Sequence, residues 1–285
     1  MAEHAQKFED ETPAASVHVN GVSIHYQRSG EGEVPLVLVH GSWVSHRTWD
    51  AAAPRLAASF DVVAFDRRGH GRSERVAGQG SVREDADDLA ALIRALGLSP
   101  AWVVANSFGA SIALRLAAQD ADVLRGVIVH EPPLWGVIAD EPALAALAEE
   151  DAHVTALVAE RIAAGDHEGG ARLFIEHELG PGAWSQLPQG FRATMVENAL
   201  TFLDEARDPD LHAFDLATLE GCGLPVMLTT GGEGSPLYSG VVSSLAAALP
   251  RAEVAEFEGA GHLPHLTRPD AYVEATRAFI LRHEP

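Results

Sequence analysis

Six short, unbroken apolar runs constrain this chain more than any other feature: PLVLVH at 35–40, DVVAFD at 61–66, AWVVAN at 101–106, LRGVIVHE at 124–131, LPVMLT at 224–229 and AEVAEFE at 252–258. A strand with one wet face alternates apolar and polar residues, so runs of this kind predict strands buried on both faces of a parallel sheet. Between them lie helical stretches, TWDAAAPRLAAS, VREDADDLAALIRALG, SIALRLAAQ, YSGVVSSLAAAL and PDAYVEATRAFILRH. Strand alternating with helix implies right-handed crossovers and an open α/β sheet. Ahead of this series, SVHV and VSIHYQ flank Asn20-Gly21, a strong signal for a hairpin.

One interval breaks the rhythm. From Pro132 to Leu219 no strand pattern is evident, only Ala- and Glu-rich helical segments such as EPALAALAEEDAHVTALVAERIAAG and RATMVENALTFLDEAR. An insertion at the carboxyl edge of such a sheet covers the crevice where α/β proteins bind ligands, so this segment reads as a cap. The expected organisation is a flexible tail over 1–14, a core formed by 15–131 and 220–285, and a helical cap over 132–219.

Composition removes several function classes. A formal net charge of −21 argues against nucleic acid, whose binding rests on many Lys and Arg contacts to phosphates. The single lysine, Lys7, lies in the expected tail, which disfavours Schiff-base chemistry and a phosphate-loop lysine. The single cysteine, Cys222, allows no internal disulfide, and it reads as a packing residue. No run approaches the roughly 18 apolar residues of a membrane span, and MAEHAQKFEDET lacks the apolar core of a secretory signal. The expected setting is cytoplasmic, with a small-molecule substrate and no membrane partner. The oligomeric state is not fixed by the sequence.

The chemistry begins at VVANSFGASIALRLA, where a buried strand ends at Asn106, Ser107 follows at once, and a helix starts. This is the arrangement of a nucleophile elbow, in which a strained turn projects a serine hydroxyl above the sheet. The usual pattern is GxSxG; here Ala105 and Gly109 are the small residues on either side, where strand and helix must pack closely. A serine between small residues is also a common helix N-cap, and the strand-turn-helix context favours the elbow.

With VLVHGSW at 37–43, FDRRGHGRS at 65–73 and FEGAGHLPHLTRPD at 257–270, the elbow makes four motifs in one order, and the chain resembles the α/β-hydrolase superfamily along nearly its whole length. The resemblance implies a mostly parallel eight-stranded sheet flanked by helices, with an inserted helical cap. It also implies Ser107 as nucleophile and His262 as base, with the backbone N–H groups of Ser42 and Phe108 as oxyanion donors. Trp43 and Trp135 are then expected to line the pocket. His265 competes with His262 but falls outside the matched position, and His40 and His70 are expected to hold loops. A serine rather than an aspartate at the elbow disfavours epoxide and carbon–halogen hydrolysis. No metal or organic cofactor is implied.

The triad acid is the open point. The turn GEGSP places Ser235 where the family usually has an aspartate, and serine cannot carry that charge. Glu233 lies in the same turn, two residues early. Glu131 ends a buried strand and precedes two prolines, and a near-buried charge there requires a partner. VIVHEPP together with GAGHLPHLTRPD resembles the zearalenone-type lactone hydrolases, in which the acid is a glutamate after this strand; the oxyanion strand HGSW departs from that group. The preferred set is Ser107, His262 and Glu131, acting on a carboxylic ester or lactone. Carbon–carbon hydrolysis, lyase or perhydrolase chemistry and a non-catalytic binding role stay open. Trp135, Phe174, Trp184, Phe191, Met195 and Phe202 are candidate cleft residues of the cap, with core packing as the default for each.

Overall fold

The computed structural model describes residues 14–219, 221–249 and 251–284. The tail expected over 1–14 lies outside them except for Ala14, which opens the first strand. Eight strands form one sheet in the order β1-β2-β4-β3-β5-β6-β7-β8. They span Ala14–Val19, Val22–Ser29, Pro35–Val39, Asp61–Phe65, Ala101–Asn106, Leu124–His130, Val226–Gly231 and Glu253–Phe257. β1, β2 and β4 pair antiparallel, and the remaining pairs are parallel. Asn20 and Gly21 both take positive φ (46° and 78°), the geometry a two-residue hairpin turn demands.

Five of the six apolar runs are covered on both faces; the sixth, AEVAEFE, forms the edge strand β8, where Val254 and Glu256 are exposed, so it is not buried on both faces. Val37, Val39, Val103, Val127 and Val129 pack on one face with helices α1 (Val82–Ala95) and α2 (Phe108–Gln119). Leu36, Leu38, Trp102, Val104 and Ile128 alternate onto the other, where Trp49, Tyr272 and Phe279 meet them. Tyr272 and Phe279 belong to α8 (Pro269–His283), and α7 (Pro236–Ala248) packs on the first face after β7. α1 begins where Ser81 accepts from the N–H of Glu84, a capping interaction the sequence SVRE provides. TWDAAAPRLAAS is not one helix: it splits into a 3₁₀ turn at His46–Trp49 and a short helix at Ala53–Leu56 with a proline in its first turn. Proline lacks the N–H that would continue the preceding turn.

Between β6 and β7 the chain is helical, with α3 (Pro142–Ala163), α4 (His167–Leu179), α5 (Gln189–Glu197) and α6 (Ala199–Arg207). The segment builds its own apolar cluster from Val158, Ile162, Ile175, Met195 and Phe202 of these helices and Trp184 of the short helix Ala183–Gln186, and Trp43 of the core joins it. Polar ties fix the insertion to the core. Asn198 donates to the carbonyls of Trp43 and Val44 (3.1 and 3.0 Å), and the N–H of Val82 donates to Asp208 (2.7 Å). Among the described residues no helix is long and apolar enough to cross a membrane.

Candidate active site

Ser107 stands between β5 and α2 with φ 57° and ψ −127°, a backbone conformation that is costly for a non-glycine residue and is retained where surrounding packing enforces it. The packing is visible at two glycines. A Cβ on Gly109 would sit 2.6 Å from the His40 carbonyl oxygen, and one on Gly41 would sit 3.0 Å from Ser107 Cβ. Helix α2 can therefore press against the end of β3, and the loop after β3 can lie directly over the serine. Phe108 is the first residue of α2, so its N–H has no helical acceptor. The N–H of Ser42 makes no backbone hydrogen bond among the described residues. Both residues line the same cavity as Ser107.

The loop carrying Ser42 is held from below by the FDRRGHGRS segment. His40 Nδ1–H donates to the Gly41 carbonyl (2.8 Å), and Nε2 accepts from the N–H of Arg67 (3.0 Å). Burial beside the Arg67 guanidinium pushes His40 down to about 3, so the ring is neutral and structural. Arg67, 2 % exposed, donates to Gly41 O (3.1 Å), pairs with Asp85 (3.0 Å) and Glu205 (2.7 Å), and lies over the Phe108 ring at 4.5 Å. His70 bonds the Arg68 carbonyl and Thr201, joining core to insertion.

Glu131 follows β6 directly, fully buried and with φ 47°, one of four described non-glycine residues at positive φ, with Asn20, Trp43 and Ser107. Its Oε2 lies 2.7 Å from His262 Nδ1, while Oε1 accepts from Gly231 N–H (2.7 Å) and Thr230 Oγ1 (2.9 Å). A carboxylate only accepts, so Nδ1 of His262 carries the proton and Nε2 is free to receive one. Burial alone would raise Glu131, but the histidines beside it, His130 with Nε2 at 3.5 Å and His262, outweigh this and hold its pKa well below the ordinary carboxylate range. Burial lowers His262, and Glu131, with a smaller contribution from Glu178, more than reverses this, leaving the ring above its ordinary 6.5.

The last two residues of β7, Thr230 and Gly231, supply donors to this carboxylate, and the glycine-rich turn that follows packs against it. Gly234 lies so close that a Cβ there would meet Glu131 Oε1 at 3.0 Å. Glu233 is exposed, and Ser235 is the N-cap of α7, accepting from the N–H of Leu237 at 3.3 Å. His265 is fully buried against Trp49 (ring centroids 4.4 Å) and bonded to Thr48, which removes it from the cleft.

Asn106 Nδ2 donates to the His262 carbonyl (3.0 Å), fixing the histidine loop to the elbow strand. Among the described residues no hydrogen bond joins Ser107 Oγ to His262. Such contacts are often loose before substrate binds.

Trp135 lines the cavity and donates its Nε1–H to Asp151 (2.7 Å). Trp43 does not line it: 1 % exposed, it stacks on Phe202 (4.5 Å) and touches Phe174 (5.4 Å), and those two rings form the wall in its place. Trp43 has φ 69°, which turns its side chain into the insertion's core. Trp184, Phe191 and Met195 also belong to that core. Sequence reasoning missed Tyr238, which stacks on His262 at 4.5 Å and donates to Glu178 Oε2 (3.1 Å), and it missed the wall residues Asp151, Glu178, Glu205 and His212. SPLY at a helix start carries no signal for the first, and helical periodicity does not tell a cavity wall from a core.

Three sets of donors lie close enough together to hold a cation: His25, His46 and Asp66; His130, Glu131 and His262; and Asp151, His177 and Glu178. In the first, His46 is already bonded to Asp66 (2.7 Å).

The model of the Alpha/beta hydrolase family matches residues 36–275. N-formylmaleamate deformylase of Pseudomonas putida is 27 % identical over 278 residues, 93 % of this chain and 95 % of that protein. The uncharacterized hydrolase YraK of Bacillus subtilis is 35 % identical over 122 residues, 42 % of this chain and 44 % of that one. Among solved structures, Est816, described as an N-acyl homoserine lactone degrading enzyme, superposes with a TM-score of 0.71 at 25 % identity, covering 93 % of this chain and all of that one. The enol-lactonase of Burkholderia xenovorans LB400 shares the fold, with a TM-score of 0.77 at 20 % identity over 94 % of this chain and 100 % of that one. With the family match spanning most of its length, from β3 into α8, this chain is a member of the alpha/beta hydrolase family, a family of hydrolytic enzymes.

Proposed function

We propose that the protein is a serine hydrolase of carboxylic esters or lactones, with Ser107 as nucleophile, His262 as base and Glu131 as the triad acid. The observation that carries this reading is the 2.7 Å contact between His262 Nδ1 and a fully buried Glu131, one strand away from a serine held at positive φ. His262 Nε2 takes the Ser107 proton as the oxygen attacks the acyl carbon. The oxyanion that forms is received by the N–H groups of Ser42 and Phe108, a type of donor whose removal typically costs about 3 to 4 kcal/mol of transition-state stabilisation. The imidazolium then protonates the leaving alcohol, and water, deprotonated by the same histidine, releases the acid from Ser107. Residues 132–219 act as the cap: they wall the cavity and keep bulk water from the acyl-serine.

The full-length similarity to a deformylase favours a second reading, in which the same acyl-serine chemistry opens an N-acyl bond. The test is hydrolysis of p-nitrophenyl acetate and of an N-formyl amide by the parent protein and by Ser107→Ala. The parent is expected to turn over the ester and to label with a fluorophosphonate, and Ser107→Ala to lose both while melting normally. A folded Ser107→Ala protein with parental ester turnover overturns the proposal, and preference for the amide selects the second reading.

A further inference from the structure

His130, the last residue of β6, is fully buried, and the reaction proposed above gives it no part. It nevertheless borders every member of the proposed triad. Its carbonyl accepts the N–H of Ser107 (2.8 Å), and its ring centroid lies 6.2 Å from that of His262. Its Nε2 stands 3.5 Å from Glu131 Oε2, the oxygen that meets His262. Consecutive residues of a strand normally point to opposite faces. The positive φ of Glu131 breaks that alternation at the end of β6 and brings the two side chains together.

The surroundings of the His130 ring decide where its proton sits. Nε2 faces two acceptors, Glu131 Oε2 and the carbonyl of Gly261, the residue before His262. Nδ1 lies 2.9 Å from Thr229 Oγ1, which is itself 3.2 Å from the Val129 carbonyl. A hydroxyl both donates and accepts, so Thr229 serves Nδ1 in either state, whereas carboxylate and carbonyl oxygens only accept. A bare Nε2 would set its lone pair against two acceptors in a dry site, with the penalty of an unmatched buried polar group. Burial outweighs Glu131 and keeps the ring below its ordinary 6.5, so it carries one proton. The tautomer that fits has that proton on Nε2, with the Thr229 hydroxyl turned to Nδ1.

At 3.5 Å the contact is long, and Nε2 has no partner of normal hydrogen-bond geometry. What reaches Glu131 is the N–H dipole, acting across a buried gap where fields are weakly screened. Its place on the carboxylate matters. Oε1 is occupied by Gly231 N–H and Thr230 Oγ1, and Oε2 serves His262, so the His130 dipole draws on the same oxygen that supports the His262 imidazolium. The other charged group facing His262 is Glu178, bonded to the Tyr238 that stacks on the ring; His265, behind the loop, is kept neutral by burial.

Building on the triad reading, we propose that His130 is a positioning residue for the acid: its Nε2–H holds Glu131 Oε2 between two histidines and tempers the carboxylate, so that His262 gives up its second proton more readily. The sign of its removal follows. Without the Nε2–H, Glu131 holds the His262 imidazolium more tightly, and a higher pH is needed before the ring is free to take the Ser107 proton.

Two substitutions separate this role from packing. Glutamine sets its amide nitrogen near the place of a histidine Nε2, and asparagine near that of Nδ1. His130→Gln therefore keeps a donor toward Glu131, while His130→Asn keeps only the Thr229 side. The measurement is kcat/KM for phenyl acetate from pH 5 to 9 beside a thermal melt. The midpoint of the acid limb is expected to rise by about half to one pH unit in His130→Asn, a loss of roughly threefold to tenfold below the midpoint relative to that variant's own plateau. In His130→Gln it should return to within about 0.2 unit of the parent. Because each midpoint is read within one protein, a general loss of activity cancels. A midpoint in His130→Asn that is unmoved or lower overturns the proposal, and so does an equal rise in His130→Gln. The parent protein supplies a readout that needs neither variant to fold: a histidine-ring ¹⁵N spectrum, with each ring linked to its own backbone, should show the His130 proton on Nε2, and a bare Nε2 overturns the proposal. Ester turnover with an unmoved midpoint sinks only this inference; absence of turnover and of fluorophosphonate labelling sinks the ester reading itself, and the spectrum still decides the Nε2 proton.

Discussion

Replacing Glu131 by glutamine changes one oxygen to an amide nitrogen and leaves the shape of the site intact. The amide oxygen can keep the two bonds that now reach Oε1, from Gly231 N–H and Thr230 Oγ1. The nitrogen then faces His262 Nδ1 across the 2.7 Å contact, donor against donor. Relief requires the imidazole to move its proton to Nε2, the atom that takes the proton of Ser107 in the proposed mechanism. A histidine held in the wrong tautomer costs a serine triad about 10⁴ in turnover, or ~5.4 kcal/mol at 1.36 kcal/mol per decade. The buried carboxylate's charge is also lost, and with it the electrostatic support for the imidazolium. Because two of the three close hydrogen bonds survive, stability should fall by only ~1 to 2 kcal/mol. The assay is kcat/KM for p-nitrophenyl acetate beside a thermal melt, with Glu233→Gln as control, since Glu233 is exposed in the turn. The expected result is a loss of three to four orders of magnitude for Glu131→Gln and near-parental rates for Glu233→Gln. Activity of Glu131→Gln within tenfold of parent, with an unchanged melt, would refute the assignment, as would an equal loss in the control.

The pH profile carries its own sign. His262 is held above its ordinary 6.5 because Glu131, and to a lesser degree Glu178, outweigh burial, and a protonated ring cannot accept the serine proton. kcat/KM for a neutral ester should therefore fall as pH drops through a midpoint above 6.5, and Glu178→Gln should move that midpoint down; a midpoint below 6.5 in the parent contradicts the geometry. Arg67→Met leaves Asp85 and Glu205 buried without their shared cation and should cost about 3 to 5 kcal/mol, read as a large drop in melting temperature. Ser235→Ala removes the N-cap of α7 and should cost ~1 kcal/mol in a denaturant titration while leaving ester turnover within about twofold.

The unbroken apolar runs, the hairpin at Asn20-Gly21 and the small residues around Ser107 were legible in the amino-acid order because each reports a local rule: period, turn chemistry or steric room. Glu131 was legible for a related reason, since a charge ending a buried strand needs a partner that the chain must supply. The identity of that partner set was not. His262, Gly231 and Thr230 converge on Glu131 from residues about a hundred or more positions away, through the parallel pairing of β6 with β7. The end of β7, just ahead of the turn that lacks an aspartate, gives donors to the carboxylate, and Ser235 caps a helix, a role the sequence pattern did not separate from a missing catalytic group. Trp43 went to the insertion's core and Tyr238 to the face of His262 for the same physical reason. Helical and strand periods decide which residues are buried, but only the packing of distant elements decides whether a buried side chain meets another core residue, the His262 ring or the wall of a cavity.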